Sequence, residues 1–378
     1  MLKKNESRVC IIGGGLAGLT LAIQLADAGI SCMLFEKNKY PFHKVCGEYI
    51  SMESYDFIER LGLNLGELDL PVISRLHVSS PSGKLLKHRL DLGGFGISRF
   101  LLDNKLAEIA KAKGVQLMDD CRVQDVRFNA GHFIIDTPEG TFSSEICVGA
   151  WGKKSNLDTK LKRAFTKKSK EEKNYVGIKY HVRLDFPRDL IELHNFANGY
   201  CGISKIEGDR YCLCYLTDAV NLKKFNGDIK KMEAEVLMKN PFLERYFKSA
   251  TFLFEEPLAI SQVKIGYKNA VENHVLMIGD TAGNIAPLSG NGMSMAMRSS
   301  FLLHGLLVDY FNGKITRDQL ETKYTSTWVK QFRNRVELSG VLQKLLKNKS
   351  LTDLTISALK KLPFLKNRIV KSTHGKPF

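Results

Sequence analysis

The sequence predicts an α/β protein of composite, partly α+β build: a nucleotide-binding unit on a parallel sheet, an antiparallel-sheet unit beside it, and a helical C-terminus. Three observations carry this. Residues 8–37 run strand, glycine-rich turn, helix and strand. Between about 175 and 265 the texture changes to apolar–polar alternation broken by Gly, Asp and Asn. From 336 onward, leucines fall at helical spacing among lysines.

The opening element is "RVCII", a short buried strand, followed by Gly13-Gly14-Gly15-Leu16-Ala17-Gly18 and a helix over "LTLAIQLADAG" that ends at Gly29. "SCMLFEK" is the second strand, with Glu36 and Lys37 at its carboxyl end. The pattern G-x-G-x-x-G at Gly13, Gly15 and Gly18 therefore lies inside a complete Rossmann-like βαβ unit. Gly13 permits a tight turn, Gly15 lets the backbone approach a pyrophosphate, and Gly18 allows close helix–strand contact. The helix N-terminus supplies amides and a partial positive charge. Glu36 accepts hydrogen bonds from a ribose diol and argues against a 2′-phosphate, so FAD or NAD is favoured over NADP.

Length and composition bound the rest. The 378 residues suffice for two or three domains or one large composite fold. The net charge of +16 favours anionic partners: a phosphate-bearing cofactor, an acidic membrane face or nucleic acid. No nucleic-acid recognition fold accompanies the charge, so nucleic acid is not expected. The eight cysteines form no C-x-x-C pair and sit mostly in apolar segments; this predicts no metal site and suits a reducing cytoplasm. "FLLHGLLVDYF" is broken by His304 and Asp309 and falls short of the ~18 residues a membrane span needs, which predicts a soluble chain.

A second motif stands late in the chain. "VLMIGD" is a buried strand ending in Gly279-Asp280; a loop with Pro287, Gly290, Asn291 and Gly292 follows, and an apolar helix starts near Met293. The carboxylate can bond a ribitol hydroxyl, and the loop at the helix N-terminus presents amides to an electron-rich ring edge such as flavin N1 and O2. G-D-x-A-G-x-x-x-P-x-x-G-x-G-M resembles the second FAD-binding motif of flavoproteins related to aromatic-ring monooxygenases and geranylgeranyl reductases. The resemblance implies that Asp280 meets the ribityl chain and that the loop lies beneath the isoalloxazine. It spans roughly residues 8–340.

Further matches lie between these motifs. "ISRFLLDNKLAEIAKAKGVQL" is an amphipathic helix with Leu101, Leu102, Leu106 and Ile109 inward, then a strand. It is similar to the family's helix whose leading arginine, here Arg99, reaches the FAD. "CRVQDVRF" resembles the strand whose valine, here Val123, bonds adenine through its backbone. "CVGAWGKKSNLD", with Ala150 and Gly152, resembles the family's A-D-G-x-x-S, but Trp151 replaces the aspartate and weakens the case for hydride delivery by NADPH in the manner of aromatic hydroxylases. "KVCGEYIS" looks like the C-G element of the geranylgeranyl reductase branch. That places Cys46 at the flavin or substrate face, Gly47 where close approach is needed, and Glu48 holding the segment or bonding the cofactor. A buried filler role for Cys46 stays open. The candidate catalytic residues are Cys46, Pro287 and Asn291.

The middle segments "NYVGIKYHVRLDF", "DLIELHNFANGYCGISKIEGDRYCLCYL" and "TFLFEEPLAISQ" read as antiparallel strands with one wet face, and "HVSSPSGKLLKHRLDL" as a hairpin. Such a sheet would roof the flavin, with Tyr175, Tyr180, Phe196, Tyr200, Tyr211 and Tyr215 available to a substrate pocket. The tryptophan–phenylalanine–proline signature of geranylgeranyl reductases and the W-x-W-x-I-P stretch of halogenases are absent. The basic tail makes amphipathic helices, one face packing on the protein, with peripheral contact to anionic lipid as an alternative use. The expected division is 1–75, 96–158 and 268–335 for the FAD-binding domain, 76–95 and 159–267 for the substrate domain, and 336–378 for the helical segment. The function expected is that of an FAD-dependent oxidoreductase, monooxygenase-like, acting on a hydrophobic or aromatic small molecule or a lipid-like or biosynthetic intermediate, with NAD(P)H or another reductant as electron donor. A saturase of isoprenoid double bonds and an electron-transfer flavoprotein are the alternatives.

Overall fold

Val9, Cys10 and Ile11 are an unbroken apolar run that only a strand covered on both faces can hold. Strand Glu6–Ile12 accordingly pairs in parallel with Cys32–Phe35 on one side and Gly140–Gly149 on the other. In this computed structural model, which describes residues 5–166, 174–263, 266–286, 290–345, 349–373 and 375–378, the parallel sheet extends outward through Gln116–Met118 and Val275–Met277. The hairpin Asp125–Asn129/His132–Thr137 attaches to Gly140–Gly149, so Val123 precedes a strand rather than lying in it. Helix Leu16–Asp27 packs against Gly292–Phe311, where Thr20 Oγ1 and Ser300 Oγ lie 2.7 Å apart.

The second sheet has nine strands. Tyr175–Arg183, Tyr211–Asp218, Gly199–Lys205 and Leu190–Phe196 are antiparallel neighbours, as the alternation predicts. Leu190–Phe196, however, pairs in parallel with Val72–Ser79, so the sheet is mixed. The expected wet face is also absent from these strands: Tyr175–Arg183 is buried at every position but its last. Helices Ala219–Lys224, Ile229–Met232 and Pro241–Ser249, with a π-turn at Glu233–Leu237, cover one face and bury Met232, Leu237, Leu243 and Tyr246 against Ile178, Tyr180, Leu213 and Tyr215. Apolar–polar alternation alone predicts strands and no helix in this stretch. Tyr49–Ser51 and Val72–Ser79 pair within the second sheet, while Phe57, Ile58, Leu61 and Leu65 between them pack in the core of the first.

A buried polar seam ties this sheet to its helices. His194 bonds Ser79 Oγ through Nδ1 (2.8 Å) and Glu192 Oε2 through Nε2 (2.9 Å); His77 Nδ1 lies 2.8 Å from Glu192 Oε1, and the Tyr246 hydroxyl donates to Glu192. Ser79 and His194 are inaccessible, so this serine–histidine–glutamate row is an internal brace and not a nucleophile.

Helix Arg317–Leu345 runs unbroken through the boundary expected at 335, anchored by Trp328 and by Tyr324, whose hydroxyl donates to the Met277 carbonyl at 2.7 Å. Helices Lys349–Lys361 and Pro363–Thr373 then return across the second sheet, with Ser82 donating to Asp353 (2.5 Å) and Lys371 paired to Asp91 (3.2 Å). Among the described residues no helix is long and apolar enough to cross a membrane.

The seam has a pH consequence. Burial raises the Glu192 carboxyl, but hydrogen bonds from His194, Tyr246 and His77 outweigh it and bring it from 4.5 to about 2. Its stabilisation is therefore present above about 4.5 and lost as pH falls toward about 2. Glu192→Gln is expected to flatten part of the acid-induced fall in the thermal midpoint across that window, read by circular dichroism melts.

Candidate functional site

The glycine turn is shaped by contact distance. A Cβ on Gly18 would stand 2.0 Å from the Gly13 carbonyl oxygen, so only glycine lets the helix sit this close to the strand. Gly15 is less crowded: a Cβ there would meet Arg99 Nη2 and Lys44 Nζ at 3.6 Å, an ordinary contact distance. One carboxylate holds both cations: Arg99 bonds Asp103 through Nε (2.6 Å) and Nη2 (2.7 Å), and Lys44 Nζ is 3.1 Å from the same group. Burial raises the Asp103 carboxyl, but Arg99 and Lys44 hold it below its ordinary value. Two cations on one carboxylate leave a surplus positive charge beside helix-start amides, which fits a diphosphate. At the next strand end, Glu36 accepts from Gly14 N (2.9 Å) and from Asn38 N (3.1 Å) and Nδ2 (2.9 Å); its carboxylate orders the turn at the cavity edge.

A cavity of about 1260 Å³ runs from this turn between the two sheets. Leu16, Ala17, Glu36, Lys37, Arg99, Val123, Ala150 and Gly152 line it with Gly13 and Gly15; Gly279, Asp280, Gly290, Gly292 and Met293 lie along its course. Cys46, Gly47, Tyr200 and Tyr215 lie where it meets the second sheet, and aliphatic side chains such as Leu76, Leu90, Ile191 and Leu193 line its far part. Its volume exceeds the ~300–1,000 Å³ typical of small-molecule sites, leaving room for an extended dinucleotide and a second molecule. Tyr180, Phe196 and Tyr211 pack under the helices of the second sheet, and Tyr175 clusters with Tyr200.

Asn291 is fully buried where helix Gly292–Phe311 begins, its carbonyl accepting from Met295 N (3.0 Å), while Gly290 and Gly292 on either side of it line the cavity. Glu48 is inaccessible, and both its oxygens are engaged by protein partners: Oε1 accepts from Arg99 N (2.8 Å) and from Lys179 Nζ, while Oε2 lies 2.6 Å from His181 Nε2. These contacts hold the segment at the wall of the cavity. Pro287 lies outside the described residues.

The segment around Cys46 is fastened from behind. Lys179 Nζ also donates to the Lys44 carbonyl (3.1 Å), and Cys212 Sγ donates to the Cys46 carbonyl (3.2 Å). Cys46 Sγ rests 3.6 Å from Met293 Sδ at the start of helix Gly292–Phe311, so the two sequence motifs meet here. Burial raises the Glu48 carboxyl, but the Lys179 ammonium and the His181 hydrogen bond outweigh it and keep it ionised. Glu48, His181 and Cys212 bring ligand-type atoms within 4.8 Å of one another, yet Lys179 already supplies the positive charge a cation would bring. Sequence reasoning missed Lys179 and His181. Their signal was two ionisable residues two apart in "YVGIKYHVR", facing one way from an otherwise apolar strand.

Trp151, in the place of the family's aspartate, donates from Nε1 to Asp158 Oδ1 (2.9 Å), which in turn pairs with the inaccessible Arg163 (3.0 Å). Gly152 N donates to Thr281 Oγ1 (2.8 Å), joining this turn to the Gly279–Asp280 strand end.

A cradle for a diphosphate at one end, a carboxylate-bearing strand end along the way and a chamber beyond them are what a flavin-dependent oxidoreductase requires. A family profile described as an FAD binding domain matches residues 6–198, more than half of the chain, and the chain belongs to that family. It is 26% identical over 368 residues to conditioned medium factor receptor 1 of Dictyostelium discoideum, covering 89% of this chain and 70% of that protein. It is 24% identical over 359 residues to a digeranylgeranylglycerophospholipid reductase of Methanococcus vannielii, covering 90% and 87%. Among solved structures, a probable FAD-dependent monooxygenase from Pseudomonas aeruginosa superposes with a TM-score of 0.72 at 16% identity, over 92% of this chain and 98% of that one. The protein is an FAD-dependent oxidoreductase.

Removing Lys179 should expose how much rests on it. Lys179→Met leaves the Glu48 carboxylate buried without its cation and is expected to cost about 3–5 kcal/mol in chemical denaturation. Adding Glu48→Gln should recover part of that loss.

Proposed function

We propose that the protein acts as a monooxygenase on an apolar, lipid-like small molecule, using O₂ and electrons from a nicotinamide or another reductant. The observation behind this is the cavity, which passes from a charged dinucleotide cradle to an aliphatic chamber closed by Ile356, Leu359, Ile369 and Val370. FAD bound in the cradle would supply the electron transfer.

The chain's own residues bind, orient and exclude water. Arg99 and Lys44 would neutralise the diphosphate, Glu36 would receive the ribose, and Asp280 the ribityl hydroxyls. Cys46, Gly47 and Met293 bound the space where ring and substrate meet, a soft and polarizable wall. The aliphatic lining selects by shape and apolarity, and by removing water it strengthens the polar contacts that remain. A second reading, saturation of an isoprenoid double bond, is favoured by the same lining, since an extended hydrocarbon fits it as well as an oxidisable one does. Eight free thiols support a reducing, cytoplasmic location.

Heat-released cofactor should run as FAD. Glu36→Ala is expected to weaken FAD retention by on the order of 1.5–3 kcal/mol, as a hydrogen bond to a charged acceptor is lost, measured by titrating the apoprotein. Turnover of hydrophobic candidates under labelled O₂ separates the two reactions: a labelled oxygen atom in the product supports oxygenation, whereas a product that gains only hydrogens overturns it in favour of saturation.

A further inference from the structure

We propose that helices Lys349–Lys361 and Pro363–Thr373 dock the protein on an anionic lipid surface, with the cavity opening behind them. These two helices are apolar on two faces. Thr355, Ile356, Leu359, Ile369 and Val370 line the cavity, and Ile356 is 1% exposed. Leu351 (46% exposed), Leu354 (67%), Leu362 (52%) and Phe364 (78%) face solvent instead. A surface helix that had only to cover the cavity would need the inner set alone.

Charge selects the occupant. Residues 349–373 carry Lys349, Lys360, Lys361, Lys366, Arg368 and Lys371 against the single acid Asp353. Exposed leucines and a phenylalanine interleaved with lysines are the composition of helices that lie in a lipid interface, where each basic residue adds ~1 kcal/mol on anionic lipid. A second copy of the chain would set one +16 surface against another, which opposes pairing through this face. Polar contacts that tie these helices to the second sheet are exposed: Ser82 with Asp353, Lys371 with Asp91, and Lys366 Nζ donating to the Lys87 carbonyl at 3.4 Å. A lipid-borne molecule would then reach the aliphatic chamber without crossing water. That last link rests on the apolar-substrate reading above; the docking does not.

The test uses the full-length, FAD-loaded protein and sedimentation with vesicles of phosphatidylcholine alone or mixed with phosphatidylglycerol. Wild type should pellet with the mixed vesicles at low salt, remain in solution with phosphatidylcholine alone, and be released by high salt. The double variant Leu354→Glu, Phe364→Glu should partition about tenfold less while keeping its flavin spectrum and melting midpoint, because two apolar contacts are lost and two like charges are added. Wild type left in the supernatant with the mixed vesicles, or a double variant that binds as wild type does, overturns the proposal. So does a concentration-dependent dimer in ultracentrifugation that Leu354→Glu disperses, since the face would then join two copies. None of these readouts depends on turnover, so they stand apart from the assignment of the reaction.

Discussion

The contact between Lys179 and Glu48 joins the two halves of the molecule. Both side chains are inaccessible, and moving such a pair out of water costs several kcal/mol per ion unless further hydrogen bonds complete the arrangement. They do: Glu48 also takes the first amide of helix Arg99–Ala112 and faces His181, and Lys179 also takes the Lys44 carbonyl. Glu48 itself adopts φ 56, a left-handed conformation that a glutamate accepts only when its surroundings compensate. The strand of one sheet, the helix that presents Arg99 and the loop that carries Cys46 thus meet at one carboxylate.

What this joint positions is a gradient of polarity. At one end Arg99, Lys44 and the glycine turn make a cationic pocket; at the other, leucines and isoleucines make a dry one. The thiol of Cys46 and the thioether of Met293, 3.6 Å apart, stand between them as a soft, polarizable stretch. Such an order lets one cavity hold a highly charged cofactor and an apolar substrate end to end without either entering the other's environment. Part of the chain's excess positive charge has a local use in that pocket, and another part gathers on the C-terminal helices.

The glycine motif and its helix were legible because steric necessity writes them into adjacent residues: Gly13, Gly15 and Gly18 act within one turn. The turn at Gly290–Gly292 was legible for the same reason. Glu48 was half read, since holding the segment was one of its two expected roles, but its partners Lys179 and His181 lie more than a hundred residues away, and an isolated lysine in a strand looks like a solvated one. The helices over 219–249 were hidden by their brevity; helices of four to nine residues carry too few turns for periodicity to register. The parallel pairing of Val72–Ser79 with Leu190–Phe196 depends on a long connection, which alternation cannot reveal.

The contact between Thr20 and Ser300 has a bearing on how the chain is made. The first helix finds its packing partner 280 residues later, so when it leaves the ribosome the surface it must cover does not yet exist. At ~5–20 residues per second, that interval lasts roughly 15–60 s. During it, an apolar helix with Leu19, Leu21, Ile23 and Leu25 waits beside an incomplete sheet. Biogenesis of this fold is therefore governed by its second half, and a nascent chain halted before the Gly292–Phe311 helix is a natural client for chaperones.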